Sequence, residues 1–274
     1  MLKGVQGVIC DWAGTMVDFG SLSPVAAFKE AFERYGFEVS FEEIRTFMGM
    51  LKFEHTKAIL ALAKERFLKQ FGRYPTEEDA RAIYHSFEPA LFDSLAHYSK
   101  PIRGAVQFAE VLKQRGIQLG STTGYTCSMM EVVTHEAAKE GYRPDCYVSP
   151  SAYLPGRPHP FMIYKNAIEL EIYPLSSIIK IGDTISDIHE GLNAGCWSIG
   201  VAMSGNELGL SYEEMEALPK ELLSEKCALA RKRLYDAGAH YVIDGIWEAL
   251  PLLEIINEKI IQGEKPCLIG FARV

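Results

Sequence analysis

Four groups of residues in the 274-residue chain could do chemistry together. Asp11 follows the apolar run Val8-Ile9-Cys10, and Gly14 turns the chain soon after it. Thr122-Thr123-Gly124 ends a second apolar run, Ile117 to Thr123. Gly182-Asp183-Thr184, with Asp187 four residues past Asp183, ends a third, Ile178 to Ile181. Arg157 lies between the second and third, in Leu154-Pro-Gly-Arg-Pro158. A lone Asp after a strand is more often a turn or helix cap than a reactive group. Three polar strand ends change that balance, because open α/β sheets place their chemistry at the carboxyl ends of their strands. Asp11 and Asp183 offer hard oxygen ligands suited to a magnesium ion that keeps several waters. Thr123 and nearby backbone N–H groups can hold phosphate oxygens, and Arg157 adds a fixed positive charge. A carboxylate nucleophile beside a metal and an anion clamp is a phosphoryl-transfer site by role.

These residues need a parallel sheet to bring them together. From residue 100 onward strands and helices alternate: helix 105–115, strand 117–123, helix 128–140, strand 146–148, helix 160–170, strand 178–181, helix 188–194 and strand 197–201. That alternation implies a doubly wound α/β core with helices on both faces. A polar helical run follows over 211–238, then an edge strand, Tyr241 to Ile243. Between the first strand and residue 100 the chain reads as almost all helix. Ser23-Pro24 marks one helix start, Ser40-Phe-Glu-Glu43 a capping box, and Thr76-Glu-Glu-Asp79 another cap. Leu51 to Phe71 reads as one helical run. The domain reading is therefore a core of residues 1–20 plus 100–274, with a helical cap of residues 21–99 inserted after the first strand.

Composition narrows the partners. A net charge of −8 with no Lys/Arg run argues against a nucleic-acid surface. No apolar stretch approaches the ~18 residues a membrane span needs, and the N-terminus leads directly into the first strand without a signal-like segment. The six cysteines form no C-x-x-C pair, so they read as the reduced thiols of a cytoplasmic protein.

The set Asp11-x-Ala-Gly-Thr15, Ser121-Thr-Thr-Gly124, Arg157 and Gly182-Asp-Thr-x-x-Asp187 resembles the four ordered motifs of the haloacid dehalogenase (HAD) superfamily. Most phosphatases of that superfamily carry Asp-x-Asp, whereas Ala13 occupies the second position here. With Met48-Gly-Met-Leu-Lys-Phe-Glu-His55 and Gly120-Ser-Thr-Thr-Gly-Tyr125, the chain resembles the phosphonatase family, the phosphonoacetaldehyde hydrolases, from about Val8 to Gly209. The alanine suits P–C cleavage. A phosphate ester needs an acid for its leaving oxygen, but a phosphonate expels a carbanion, which needs an electron sink such as a lysine imine.

The resemblance makes Lys52 the imine-forming residue, although spacing alone would favour a surface lysine. Its apolar neighbours and His55, on the same helical face, are the setting that lowers an amine's pKa. The resemblance further implies a proton-shuttling role for His55, a place in the site for Met48, and a backbone ligand from Ala13 beside the metal ligands Asp11 and Asp183. Thr123, Gly124, Tyr125 and Arg157 complete the expected substrate site, though Tyr125 could equally be a packing aromatic. Asp187 could position Asp183 or reach the metal through water. The expectation is a magnesium-dependent, homodimeric enzyme acting on a small phosphonate. An ordinary phosphomonoester phosphatase, lacking its usual acid, and a catalytically inactive anion-binding module are the alternatives.

Overall fold

In a computed structural model of the chain, residues 4–151 and 153–266 are described. Among them, five strands form one parallel sheet: β1 (Gly7–Cys10), β2 (Gln118–Ser121), β3 (Ile178–Gly182), β4 (Trp197–Val201) and β5 (Tyr241–Ile243), in the order β2-β1-β3-β4-β5. β1, β3 and β4 are buried along their whole lengths, which is why they read as continuous apolar runs. β1 lies between β2 and β3, with Cys10 opposite Ser121 on one side and Ile181 on the other. The residues after all three strands therefore emerge together at one end of the sheet. The expected α/β core is the fold observed.

Helices α1 (Leu22–Tyr35), α2 (Phe41–Arg45), α3 (Lys52–Leu62), α4 (Lys64–Phe71) and α5 (Glu77–Tyr98) form the insertion after β1. Its interior is aromatic: Phe28, Phe32, Phe37, Phe67 and Phe87 are all buried, and Phe28 stacks on Phe87 with ring centroids 4.1 Å apart. Capping boxes start α2 at Ser40 and α5 at Thr76, as their spacing indicates. The chain segments entering and leaving the insertion run side by side. Ile102 N–H donates to the Met16 carbonyl at 2.8 Å, and Val17 bridges Pro101.

The remaining helices are α6 (Ala105–Gln114), α7 (Cys127–Lys139), α8 (Phe161–Glu169), α9 (Ile185–Ala194), α10 (Tyr212–Ala217), α11 (Lys220–Asp236) and α12 (Ala249–Ile261). Several local expectations need correction. α1 begins at Leu22, not after Ser23, because the Asp18 carboxylate accepts the Leu22 and Ser23 N–H groups, each at 3.0 Å. Pro24 still falls in the first turn, where its missing N–H costs nothing. The run 51–71 is two helices meeting at Ala63. The run 211–238 is also two, divided at Leu218-Pro219, as a proline's restriction on its predecessor would have it. Residues 146–148 make no strand, only a bridge between Val148 and Thr122. Cys10, Cys127, Cys146, Cys196 and Cys227 are free thiols; Cys267 lies outside the described residues. Among the described residues no helix is long and apolar enough to cross a membrane.

Candidate active site

Asp11 leaves β1 with its N–H bonded to the Ile181 carbonyl at 2.9 Å, so the sheet itself aims the following turn. In that turn Gly14 has φ +79°, and a Cβ there would sit 2.1 Å from Asp183 Oδ2. Only glycine permits both the left-handed backbone and the approach of the carboxylate. Asp183, after β3, is fully buried. Its Oδ1 receives the Thr15 hydroxyl at 3.2 Å and its Oδ2 the Asn206 N–H at 2.8 Å. Asp11, Asp183 and Asp187 place carboxylate oxygens within 4.8 Å of one another. Burial, and then the charges of Asp11 and Asp187, push the Asp183 carboxyl well above the usual carboxylate range. Three buried carboxylates gathered this closely are a hard-oxygen donor set suited to a divalent cation, whose charge would relieve the repulsion on Asp183.

Arg157 enters from the loop before α8. Its Nη2 donates to Asp11 Oδ1 at 2.6 Å and to the Thr122 carbonyl at 2.7 Å, while Nε faces Glu190 Oε2 at 3.1 Å and Asp187 Oδ1 at 3.2 Å. The side chain is fully buried, yet Nη1 has no acceptor among the described residues. A buried guanidinium N–H without a partner is costly unless a ligand oxygen completes it. Arg157 lines the pocket shared by Asp11, Ala13, Thr123 and Gly124, so that ligand would be an anion.

Beneath the site lies a charged layer that sequence reasoning did not single out. Lys180, inside β3, contacts Asp187 Oδ1 at 2.8 Å, Glu190 Oε2 at 3.1 Å and Thr122 Oγ1 at 2.7 Å, with no exposure. Burial alone would raise the Asp187 carboxyl, but Arg157 and Lys180 outweigh it and hold it below its ordinary range. Asp187 also closes the capping box of α9, with Thr184 Oγ1 at 2.5 Å. It is therefore both a neighbour of the carboxylate cluster and the residue that positions the Asp183 loop. A lysine in an otherwise apolar strand was the available signal for this layer. Lys180→Met is expected to lower the unfolding free energy by about 3–5 kcal/mol, because Asp187 and Glu190 then lose a buried partner. Urea denaturation at pH 7 measures it.

The insertion brings its own residues over this surface. Lys52 opens α3, is 3% exposed, and has Nζ 5.3 Å from the centre of the Tyr125 ring. Burial draws its pKa down to about 8, against the pull of Asp11 and with the help of Arg157. Met48, Gly49 and Lys52 line one pocket with Asp11, Ala13, Ser21, Thr123, Gly124, Tyr125 and Arg157. The insertion loop and the core loop touch closely: a Cβ on Gly124 would lie 2.8 Å from the Met50 carbonyl. Thr123 Oγ1 accepts the Tyr125 N–H at 3.0 Å, which sets the turn that presents both residues. His55 is buried in the insertion beside Phe28, and its Nε2–H donates to the Ile44 carbonyl at 2.7 Å. Nδ1 is left as a bare acceptor with no partner among the described residues. Burial, then Lys52, lowers the His55 pKa to about 3, so the ring is neutral. The pocket is small, about 20 Å³, room for a water or two.

Residues 8–201 match the haloacid dehalogenase-like hydrolase family. The chain is 47% identical over 264 residues to the phosphonoacetaldehyde hydrolase of Syntrophobacter fumaroxidans, covering 96% of this chain and 95% of that one. It is 43% identical over 257 residues to the phosphonoacetaldehyde hydrolase of Bacillus cereus strain G9842, covering 93% and 97%. The crystal structure of a phosphonoacetaldehyde hydrolase-like protein from Oleispira antarctica superposes with a TM-score of 0.92 at 38% identity, over 97% of both chains. With the strand-end carboxylates, the buried arginine and the inserted lysine in place, the chain belongs to the haloacid dehalogenase-like hydrolases and, within them, to the family of the phosphonoacetaldehyde hydrolases.

Proposed function

We propose that the enzyme hydrolyses the P–C bond of phosphonoacetaldehyde to give acetaldehyde and phosphate, a step of phosphonate degradation. One observation carries this reading: a fully buried lysine shares a pocket with Asp11 and Arg157, while Ala13 stands where an ester phosphatase keeps its acid. The Lys52 amine adds to the aldehyde carbon and loses water to form a protonated imine. Asp11 attacks phosphorus in line with the P–C bond. That bond breaks, its electron pair moves into the imine as an enamine, and Asp11 carries the phosphoryl group. The enamine carbon takes a proton, and water hydrolyses the resulting imine to acetaldehyde and free Lys52. A second water attacks the aspartyl-phosphate, releasing phosphate and restoring Asp11.

Arg157 Nη1, the unpartnered donor, would hold a phosphoryl oxygen, and Thr123 with the Gly124 N–H would hold others. Asp11 and Asp183, with the Ala13 carbonyl, are the donors we assign to magnesium, with Asp187 behind them. Bound there, magnesium would offset negative charge on the phosphoryl oxygens. Met48 and Tyr125 wall the amine from water. His55, neutral and with a bare Nδ1, would serve the proton movements near Lys52 by accepting a hydrogen bond from the donor there, its lowered pKa keeping it from carrying the proton itself. The small pocket requires the cap, residues 21–99, to move away from the core, residues 1–20 and 100–274, for substrate to be admitted. Free, largely buried thiols support a cytoplasmic location. Exposed Leu62, Phe71 and Tyr74 on the insertion support a homodimer.

The experiment is phosphate release from phosphonoacetaldehyde. Activity is expected with magnesium, to vanish on chelation and to return on adding the ion back. Sugar phosphates should be turned over far more slowly. Equal activity on both, or no effect of chelation, would overturn the reaction or the metal assignment respectively.

A further inference from the structure

Arg45 is the last residue of α2, seven residues before Lys52, and its side chain leaves the insertion. Nη1 donates to the Gly20 carbonyl at 3.0 Å and to Asn206 Oδ1 at 3.1 Å, and Nη2 donates to the Gly209 carbonyl at 3.0 Å. Asn206 Nδ2 answers with a bond to the Arg45 carbonyl at 3.2 Å. A Cβ on Gly209, where φ is +68°, would lie 2.6 Å from Arg45 Nε, so the guanidinium lies against bare backbone. Three segments meet at this one side chain: the linker out of β1, the end of α2, and the loop after β4. All three acceptors are neutral. The carboxylates that favour its charge, Asp18, Asp183, Glu207 and Glu214, act through space against the cost of burial.

Asn206 makes a second contact in the opposite direction. Its backbone N–H is the 2.8 Å donor to Asp183 Oδ2. One residue thus holds the arginine of the insertion by its side chain and a carboxylate of the site by its backbone. A planar fork with several fixed donors can span three oxygens at once, whereas an ammonium cannot reproduce that geometry.

We infer that Arg45 latches the cap closed, and that Asn206 joins the latch to Asp183. Both are positioning residues. Opening the cap separates the guanidinium from Asn206 and Gly209, which frees the loop that orients Asp183. Closing it restores that loop and sets the segment leading to Lys52. The kinetic arm of the test rests on the functional reading above; the exchange arm does not.

The wild-type chain is compared with Arg45→Ala, Arg45→Lys and Asn206→Ala, with Arg66→Ala as control. Among the described residues Arg66 bonds Glu43 and Glu38 and lies over the Phe37 ring, all inside the insertion. In Arg45→Ala, KM for phosphonoacetaldehyde is expected to rise about tenfold or more, with a smaller fall in kcat. Arg45→Lys should recover only part of the loss, and millimolar guanidinium should restore part of the Arg45→Ala activity. Amide hydrogen exchange without substrate should quicken at residues 46–52 and 204–209 in Arg45→Ala and at 204–209 in Asn206→Ala, but not in Arg66→Ala. Unchanged exchange at 204–209 in Arg45→Ala, or kinetics within about twofold of wild type, would overturn the latch. If wild type releases no phosphate from phosphonoacetaldehyde while the exchange pattern holds, the latch stands and the functional reading falls.

Discussion

Lys52→Met is expected to abolish phosphate release from phosphonoacetaldehyde, by at least about 10³-fold, and at the same time to make the protein more stable. Both effects have one origin. The Lys52 amine is 3% exposed, and burial outweighs the attraction of Asp11 to leave its pKa at about 8 rather than 10.5. That difference corresponds to about 3 kcal/mol held against the charged form in the native state. Because the folded pKa is the lower one, the cost is fully present below about pH 8 and fades as pH rises toward 10.5. At pH 7 a methionine of similar length fills the site without that cost, so Tm should rise. Wild-type stability should also increase between pH 8 and 10, and that increase should be missing in the variant.

The same shift sets the pH profile. Only the neutral amine adds to an aldehyde, so kcat/KM should fall on the acid side of about pH 8, approaching tenfold per unit. Borohydride added with substrate should fix a label on Lys52 in wild type and none in Lys52→Met. A label elsewhere, or retained turnover, would remove the imine from the mechanism. The stability gain separates this outcome from misfolding, since a variant that is inactive because it unfolds cannot also melt higher. On the proposed mechanism the site accepts a local cost for reactivity, as functional sites commonly do.

What could be read from the chain depended on how local the signal was. The strand-end residues Asp11, Thr123 and Asp183 follow short apolar runs, and the parallel register brings them together as those runs imply. The capping boxes at Ser40 and Thr76 are four-residue patterns, and both form. Nothing local marks the break at Ala63, where neither glycine nor proline stands. Residues 146–148 have strand-like composition, and the Cys146 and Val148 N–H groups reach the Leu119 and Ser121 carbonyls of β2, but a single bridge, Val148 to Thr122, does not make a ladder. Lys180, Glu190 and Thr122 gain meaning only as mutual partners, at separations of 10 to 68 residues that no spacing rule reaches. Arg45 and Asn206 are 161 residues apart for the same reason. Lys52 is the instructive middle case. Spacing alone pointed to a surface lysine, and it took the insertion folding back over β1 to bury it.

Asp11→Asn should remove phosphate release by at least about 10⁴-fold while leaving imine formation at Lys52 intact. Asparagine keeps the shape and an acceptor oxygen for Arg157 Nη2, 2.6 Å away, so the clamp on Thr122 and the strand end need not move. What it loses is the anionic oxygen that attacks phosphorus in the proposed mechanism. Borohydride with substrate should therefore still label Lys52 in Asp11→Asn, which places the two covalent steps on different residues and in a fixed order. The substitution also takes one negative charge from the carboxylate cluster. Burial dominates the raised pKa of Asp183, but Asp11 is the next contributor, so Asp183 should ionise more easily in the variant. An Asp11→Asn protein that still released phosphate would make Asp11 a metal or substrate ligand only. One that lost the Lys52 label as well would mean that Asp11 is needed to assemble the site before any bond is made.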